Sequence, residues 1–524
     1  MEWAVKVLSW ILWMPTIGAL VLLWVPRRHE VMARGIALVF ALITLGLAGV
    51  LVTSFDPNDA RYQFVERVDW LPDDGVQYLL GVDGVSLWLG GLTTFLSVLA
   101  LVFSFSITER VKEFLIWMLV LESALLGVFM ALDLVLFYVF FELTLVPTYF
   151  LIALWGGREG GSAALKFFLY NFLASLGMLV STIVLAFEHY RATGVMTFEL
   201  MRLQEFVREG SIPSDLRTWL FLGFAVAFAV KLPLVPFHTW WPQAMGAAPF
   251  PVVVVFLKTG AYGFLRFGLP LFPQEAQAFA PLGIALAAVA VVYAGIVATM
   301  QFDMKQVALY AVLSHAGFIM MGLFSATEQG FVGSVLQQIN HGITMGAMLL
   351  LLGFLYGRTG TLDVDRLGGL KAQMPIFSAL FLIVMLASVA LPGTNGFVGE
   401  FLCLLGAFKS AQAGLVSVGW VVLGTLGTVL AVVYMLWMFQ RAFYGPTPDR
   451  WQNLPDLRPH EVALVLPLIA LIFWIGVHPM TFTKPITTTY SATHGRPILS
   501  VWQGDAPSHA PTPESVRNTS YRSR

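Results

Sequence analysis

Phe221–Pro242, FLGFAVAFAVKLPLVPFHTWWP, reads as a membrane-spanning helix with a lysine, Lys231, in its middle and two prolines, Pro233 and Pro236, close behind it. Proline lacks the backbone donor and its ring clashes with the preceding turn, so the helix breaks or kinks there. A charge inside a bilayer is too costly to be incidental and usually marks an ion pathway; interrupted helices usually frame a transporter's binding site. The plain alternative is a lysine that snorkels its ammonium to the interface. Apolar residues flank Lys231 for about two turns on one side, and a proline-rich apolar run lies on the other, which favours the pathway.

The rest of the chain has the same character. Of its 524 residues 58% are hydrophobic and 12% charged, against about 25% charged in a soluble domain, so the chain is a polytopic membrane protein. A formal net charge of −1 gives no reason to expect nucleic acid. The single cysteine, Cys403, rules out an internal disulfide, an iron–sulfur cluster and a cysteine-based zinc site. Met1–Leu23 lacks a basic n-region and a small-residue cleavage site, so it reads as a first span rather than a signal peptide. There is no Gly-x-x-x-x-Gly-Lys-Ser/Thr loop, so ATP is not an evident energy source.

Counting runs of ~20 apolar residues predicts about fourteen spans. They fall near 4–24, 33–53, 85–105, 113–131, 134–155, 165–187, 219–238, 249–270, 279–300, 307–325, 331–356, 375–412 (broken), 417–441 and 460–478. Two connections are long: the acidic Ser54–Gly84, and Glu188–Arg217, in which TFELMRLQEFV is expected to lie on the membrane surface as an amphipathic piece. Arg27, Arg28, Arg34, Arg110, Lys112, Arg158, Lys305, Arg358, Arg366, Lys371, Arg441, Arg450 and Arg458 all fall on one side, which is therefore cytoplasmic. The acidic loop and both termini then face the other side. The tail from Gly495 is polar and is expected to be disordered or laid on a neighbour.

A second interruption mirrors the first. After the apolar residues 375–391 comes LPGTNGFVGEF, where Pro392, Gly393, Gly396 and Gly399 break the span and Glu400 sits beside the break. Paired breaks in corresponding positions point to two inverted repeats; two unrelated proline kinks are the bland reading. The expected organisation is an N-terminal part at 1–112, a first repeat at 113–270, a second at 271–445, and a final helix with its tail at 446–524.

Six ionisable residues stand out in the apolar spans: Glu142, Lys231, Lys258, His315, His341 and Glu400. A lone histidine in an apolar helix is more often a satisfied core residue than a ligand, and buried ion pairs can simply brace helices. Two lysines, two glutamates and two histidines in one membrane core, together with two helix breaks, favour transport. Burial disfavours the charged form of lysine and glutamate, and histidine titrates near neutrality unperturbed, so all six residues can exchange protons. No His-x-x-x-His or Glu-x-x-His pair occurs in a span, which argues against a metal site.

FFELTLVPTYFLIALWGG, KFFLYNFLASLGMLV, FAVKLPLVPFHTWWP, FLKTGAYGFLRFGLPLFP, SHAGFIMMGLFS, INHGITMGAMLLLLGFLYGR and LPGTNGFVGEF together resemble the antiporter-like membrane subunits of respiratory complex I, and among them the subunit M (chain 4) branch. The resemblance runs from about Asp83 to Tyr444. It implies an all-α protein of about fourteen transmembrane helices, with two inverted five-helix repeats and two broken helices. Glu142 would pair with Lys231; Lys258, His315 and His341 would form a central hydrophilic axis, with Glu400 as the exit residue. Asp133, Lys166, Pro233, Pro236, His238, Pro392 and Gly393 would support the breaks. Subunits L and N look different, usually carrying lysine at the Glu400 position. One departure stands out: Gln243 and Met245 occupy places where the family usually has Asp and His, and the segment to Lys258 is about one turn short.

The function implied is proton translocation within an NADH:quinone oxidoreductase. This chain would hold no redox cofactor or metal, while FMN, iron–sulfur clusters and quinone belong to partner subunits. Its neighbours would be subunits L and N, the peripheral redox arm and membrane lipids. The alternative is a subunit of a multisubunit cation/proton antiporter, or of a ferredoxin- or hydrogenase-linked relative.

Overall fold

The computed structural model describes residues 6–256 and 259–494. The expected tail from Gly495 lies outside the described residues. The chain is mostly helical, and twelve helical stretches among the described residues are long and apolar enough to cross a membrane.

Helices α1 (Val7–Trp24) and α2 (Glu30–Ser54) form an antiparallel pair. The acidic connection then holds a two-stranded antiparallel hairpin, β1 (Gln63–Leu71) and β2 (Val76–Val82), paired from Gln63↔Val82 to Leu71↔Val76. This small sheet is the one departure from the all-helical expectation. The hairpin is tied to the bundle by its polar groups. Glu66 accepts the amide of Leu8 at 2.8 Å, satisfying an orphan donor at the start of α1.

After the hairpin come α3 (Gly84–Phe103), α4 (Val111–Met130) and a span in two parts, α5 (Leu134–Leu143) and α6 (Leu145–Trp155). Then follow α7 (Gly160–Thr193), α8 (Leu200–Arg208), α9 (Ser214–Lys231), α10 (Trp240–Ala247), α11 (Phe250–Val255), α12 (Thr259–Gly263), a π-helical turn at Phe264–Gly268, and α13 (Leu269–Leu271). The remaining helices are α14 (Pro273–Thr299), α15 (Met304–Phe324), α16 (Glu328–Thr359), α17 (Leu370–Gln373), α18 (Pro375–Ser388), α19 (Asn395–Gln412), α20 (Val418–Phe443), α21 (Pro459–Val477) and α22 (Met480–His494).

Aspartates start three of these helices. Asp83, Asp133 and Asp303 each accept two backbone amides at the N-termini of α3, α5 and α15, the usual side-chain answer to orphan donors at a helix start. Asp133 also takes the amide of Gln77 from the hairpin at 3.1 Å. Its supporting role is thus to cap α5 and anchor the sheet.

The bundle is inside-out relative to a soluble protein. Leu173, Val180, Val422 and Val429 point outward, exposed by more than half, while Glu122, Asp133, Lys231, His315 and Glu400 are buried. A surface of that kind is covered by lipid or by protein. The segment expected to lie on the membrane surface does form a helix, α8. Its Leu200, Leu203, Phe206 and Val207 are buried, and Phe206 packs on the ring of His189 at 5.1 Å, so its apolar face rests on the protein itself.

Candidate functional site: two broken helices lined by ionisable residues

The first break spans Leu232–Thr239, between α9 and α10, and contains Pro233, Pro236 and His238. Lys231 is the last residue of α9 and is buried. A helix C-terminus is a favourable place for a cation. A second interruption faces it. Pro147 cannot donate to the turn before it, and the span divides at Thr144 into α5 and α6. The Lys231 ammonium donates to Thr144 Oγ1 at 2.8 Å and to the Phe141 carbonyl at 3.4 Å, and lies 4.6 Å from the centre of the Phe141 ring. Phenylalanine rings wall the site: Phe141 meets Phe228 at 5.9 Å, and Phe228 meets Phe264 at 5.5 Å.

Glu142 does not touch the lysine. No carboxylate oxygen among the described residues lies within 4.0 Å of the Lys231 nitrogen. Glu142 points to Ser175 of α7, and one of its oxygens has no hydrogen-bond partner among the described residues. Adjacent positions on a helix turn 100° apart, so Phe141 and Thr144 can face Lys231 while Glu142 looks towards α7. The expected pair is therefore open here, its two members on neighbouring helices and each held by neutral groups.

The break has its own braces. Trp240 Nε1 donates to the Val230 carbonyl at 3.0 Å, satisfying an acceptor that α9 leaves free at its end. Lys166 of α7 donates to the Thr239 carbonyl and to Gln243 Oε1, both at 3.1 Å, and so pins the start of α10. His238 is buried against the ring of Tyr293 at 5.0 Å.

At the second break, Val389–Thr394 separates α18 from α19. Pro392 lies in it, and Gly393 takes φ +91°, a backbone region that glycine alone enters without strain. Glu400 sits past the first turn of α19, buried at 3%. Its Oε1 lies 2.9 Å from His315 Nδ1 and accepts from Gln337 Nε2 at 3.3 Å. A Cβ at Gly399 would stand 2.2 Å from Gln337 Oε1, so a side chain there would displace the Gln337 amide from its present place. Asn340 of α16 clamps the start of α19, donating to the Asn395 carbonyl at 2.7 Å.

His341 extends this cluster, its ring centre 5.6 Å from that of His315. The two histidines, with Gln337, Asn340, Thr344 and Ser388, line a small cavity of ≈ 10 Å³, about the room one ordered water requires. Glu400, His315, the cavity and His341 thus form a polar thread through an apolar core. Lys258 lies outside the described residues.

A family profile described as NADH:quinone oxidoreductase/Mrp antiporter, transmembrane, matches residues 131–430. The chain belongs to this family. It is 39% identical over 498 residues to NADH-quinone oxidoreductase subunit M of Rhodobacter capsulatus, covering 92% of this chain and 95% of that protein. NADH-ubiquinone oxidoreductase chain 4 of Arabidopsis thaliana is 37% identical over 498 residues, 93% of this chain and 97% of that one. Among solved structures, a chain of respiratory complex I from Thermus thermophilus with bound NADH superimposes with a TM-score of 0.81 at 31% identity, over 94% of this chain and all of that one. A chain of the Mrp complex from a Dietzia species has a TM-score of 0.77 at 20% identity and shares the fold.

Sequence reading located the ionisable residues but not their neutral partners. Thr144, Ser175, Gln337 and Asn340 carry no signal of their own, because polar residues of this kind occur throughout membrane helices. Glu122 is a different omission. It stands in LIWMLVLESALLGVF, and the rule that singled out Glu142 applies to it equally.

Proposed function

We propose that this chain is the proton-translocating membrane subunit M of an NADH:quinone oxidoreductase. Electron transfer occurs in partner subunits that hold FMN, iron–sulfur clusters and quinone, and this chain contributes no redox group. The observation that carries the reading is the Glu400–His315 contact of 2.9 Å, continued by His341 and a water-sized cavity. In a chain this similar to subunit M, a row of titratable groups in an apolar core is suited to passing protons.

The open Glu142–Lys231 arrangement supplies the energetic step. With the carboxylate away, the hydrogen-bond partners of the ammonium are neutral groups. At about 4 Å the pair is worth about 4 kcal/mol relative to full separation at an effective dielectric of 20. Moving one proton against ~100 mV requires about 2.3 kcal/mol, the same order as opening and closing this one pair.

The same reading assigns fourteen spans. Helix α9, with Asp215, Arg217 and Lys231, and the broken α18–α19 segment add two to the twelve long apolar stretches. Residues 113–270 and 271–445 form the inverted repeats, and the broken helix is the fourth span in each. Residues 1–112 supply the first three spans, and 446–524 the last span and the tail. Subunits L and N flank the chain in a bacterial inner membrane, and the basic loops face the cytoplasm.

The test is proton pumping by the purified complex in sealed vesicles. Glu142→Gln and Lys231→Ala are each expected to abolish most of the NADH-driven pH gradient; wild-type gradients in both would refute the channel. Copurification with flavin-free membrane partners, together with sodium/proton exchange in vesicles, would instead establish an antiporter.

A further inference from the structure

One buried carboxyl lies outside both breaks. Glu122, in the middle of α4, has 0% exposure, and neither of its oxygens has a hydrogen-bond partner among the described residues. Its sequence neighbour is satisfied: Ser123 Oγ accepts the Thr16 amide at 3.1 Å and meets the Thr16 hydroxyl at 2.8 Å. A bare carboxylate in an apolar interior costs several kcal/mol even after relaxation. The neutral acid avoids that cost. With no hydrogen-bond partner among the described residues, it makes no polar brace between their helices.

Its direction is set by the helix. Glu122 and Phe129 are seven residues apart and share a face. The Phe129 carbonyl accepts the Tyr262 hydroxyl at 2.9 Å, and the two rings meet edge-on at 5.0 Å. That face looks onto α12, inside the first repeat. Other faces of α4 are occupied elsewhere: Phe114 meets Trp155 of α6 edge-on, Trp117 stacks on Phe150 of α6, and Ser123 is bound to α1. On α3, Ser86, Thr93 and Ser97 share one stripe, and all three are buried. Ser86 lies 3.0 Å from the Tyr262 hydroxyl, and Ser97 Oγ has no partner among the described residues. Protonated acid and hydroxyl stripe thus both belong to faces that meet Tyr262.

We propose that Glu122 is a proton carrier of the first repeat, a role that rests on the translocation reading above. In turnover its O–H bond breaks and an N–H bond forms on Lys231, in the state in which that residue has given up the proton with which it donates to Thr144 here. The carboxylate and ammonium so produced leave the net charge unchanged. A proton from water at the end of the bundle rich in arginine and lysine then restores the acid.

The experiment uses the whole complex in sealed vesicles with Glu122→Gln, Glu122→Leu and Glu122→Asp, and Glu142→Gln alongside. Expected for Gln and Leu are normal assembly, normal NADH oxidation with an artificial acceptor at the redox arm, and loss of the NADH-driven pH gradient; Asp retains it. Redox-induced infrared difference spectra should lose a protonated-carboxyl C=O band in Glu122→Gln. Wild-type gradients and an unchanged band in both Gln and Leu overturn the proposal if Glu142→Gln still fails to pump. A pumping Glu142→Gln overturns the underlying reading instead. Failure of both Gln and Leu to assemble makes Glu122 a structural residue and also overturns the proposal.

Discussion

The two broken helices handle charge in opposite ways. At the first, the ionisable group ends the helix before the break, lies among aromatic rings, and has only neutral partners within reach. At the second, the ionisable group follows the break and is bound directly to a histidine. Their surroundings differ too. Lys231–Leu234 is buried, whereas Leu391, Pro392 and Gly393 are exposed on the flank of the bundle. A lysine without a counter-ion responds strongly to any carboxylate that approaches it. A glutamate in direct contact with a histidine has its partner already in place. On the proposed reading, the first break would be switched and the second would relay.

The sharpest way to break this comparison is Lys231→Arg. Arginine keeps the charge but does not deprotonate in proteins. If the first break must unload its proton, Lys231→Arg will lose the pH gradient as completely as Lys231→Ala; if the cation is only a brace, it will pump normally. A smaller effect is expected at the second break. Glu400→Gln should reduce the gradient and Glu400→Lys restore part of it, since lysine can also relay a proton there. A dead Glu400→Lys beside a fully active Glu400→Gln would remove the relay role.

A third perturbation separates stability from pumping. Arg266, in the π-helical turn after α12, donates to Asp83 at 2.6 Å and to the Tyr62 hydroxyl at 2.9 Å. This cluster ties α3 and the loop before the hairpin to the first repeat. Asp83→Asn should cost about 3–5 kcal/mol in thermal unfolding of the purified complex, the usual penalty for stranding one member of a buried pair. Burial pushes the Asp83 carboxyl up, but Arg266 and the Val85 and Ser86 amides outweigh it and hold the carboxyl below the ordinary aspartate range. A lowered acid contributes stability above its unfolded value, and that contribution is lost as pH falls through the lowered one. Asp83→Asn should therefore remove an acid-labile component of stability. Burial likewise raises the nearby Tyr62 hydroxyl to about 12, so it remains a neutral partner of Arg266 at any working pH.

The smallest effect belongs to Arg441, whose pair with Asp365 is exposed. Arg441→Ala should change stability by no more than about 1 kcal/mol and leave pumping intact.

Much of the architecture was legible because a bilayer imposes its rules on the chain itself. Apolar runs of span length, the prolines after Lys231, and Pro392 with Gly393 all follow from backbone hydrogen bonding and hydration, which act locally. The same rule identified Glu142, Lys231, His315 and Glu400 as out of place in lipid, and could have identified Glu122. The hairpin escaped because Gln63–Leu71 and Val76–Val82 show no clean alternation, and a two-stranded ribbon depends on what it packs against.

The sequence by itself determined a polytopic helical membrane protein, its two breaks and the residue types beside them. Only the tertiary structure decided who meets whom. Lys231 bonds Thr144 rather than Glu142, Glu400 bonds His315 across 85 positions of chain, and Glu122 is left with no partner among the described residues. Contacts of this kind depend on how helices distant in sequence rotate against one another. A rotation of a few tens of degrees exchanges one partner for the next, and no local pattern in the chain records it.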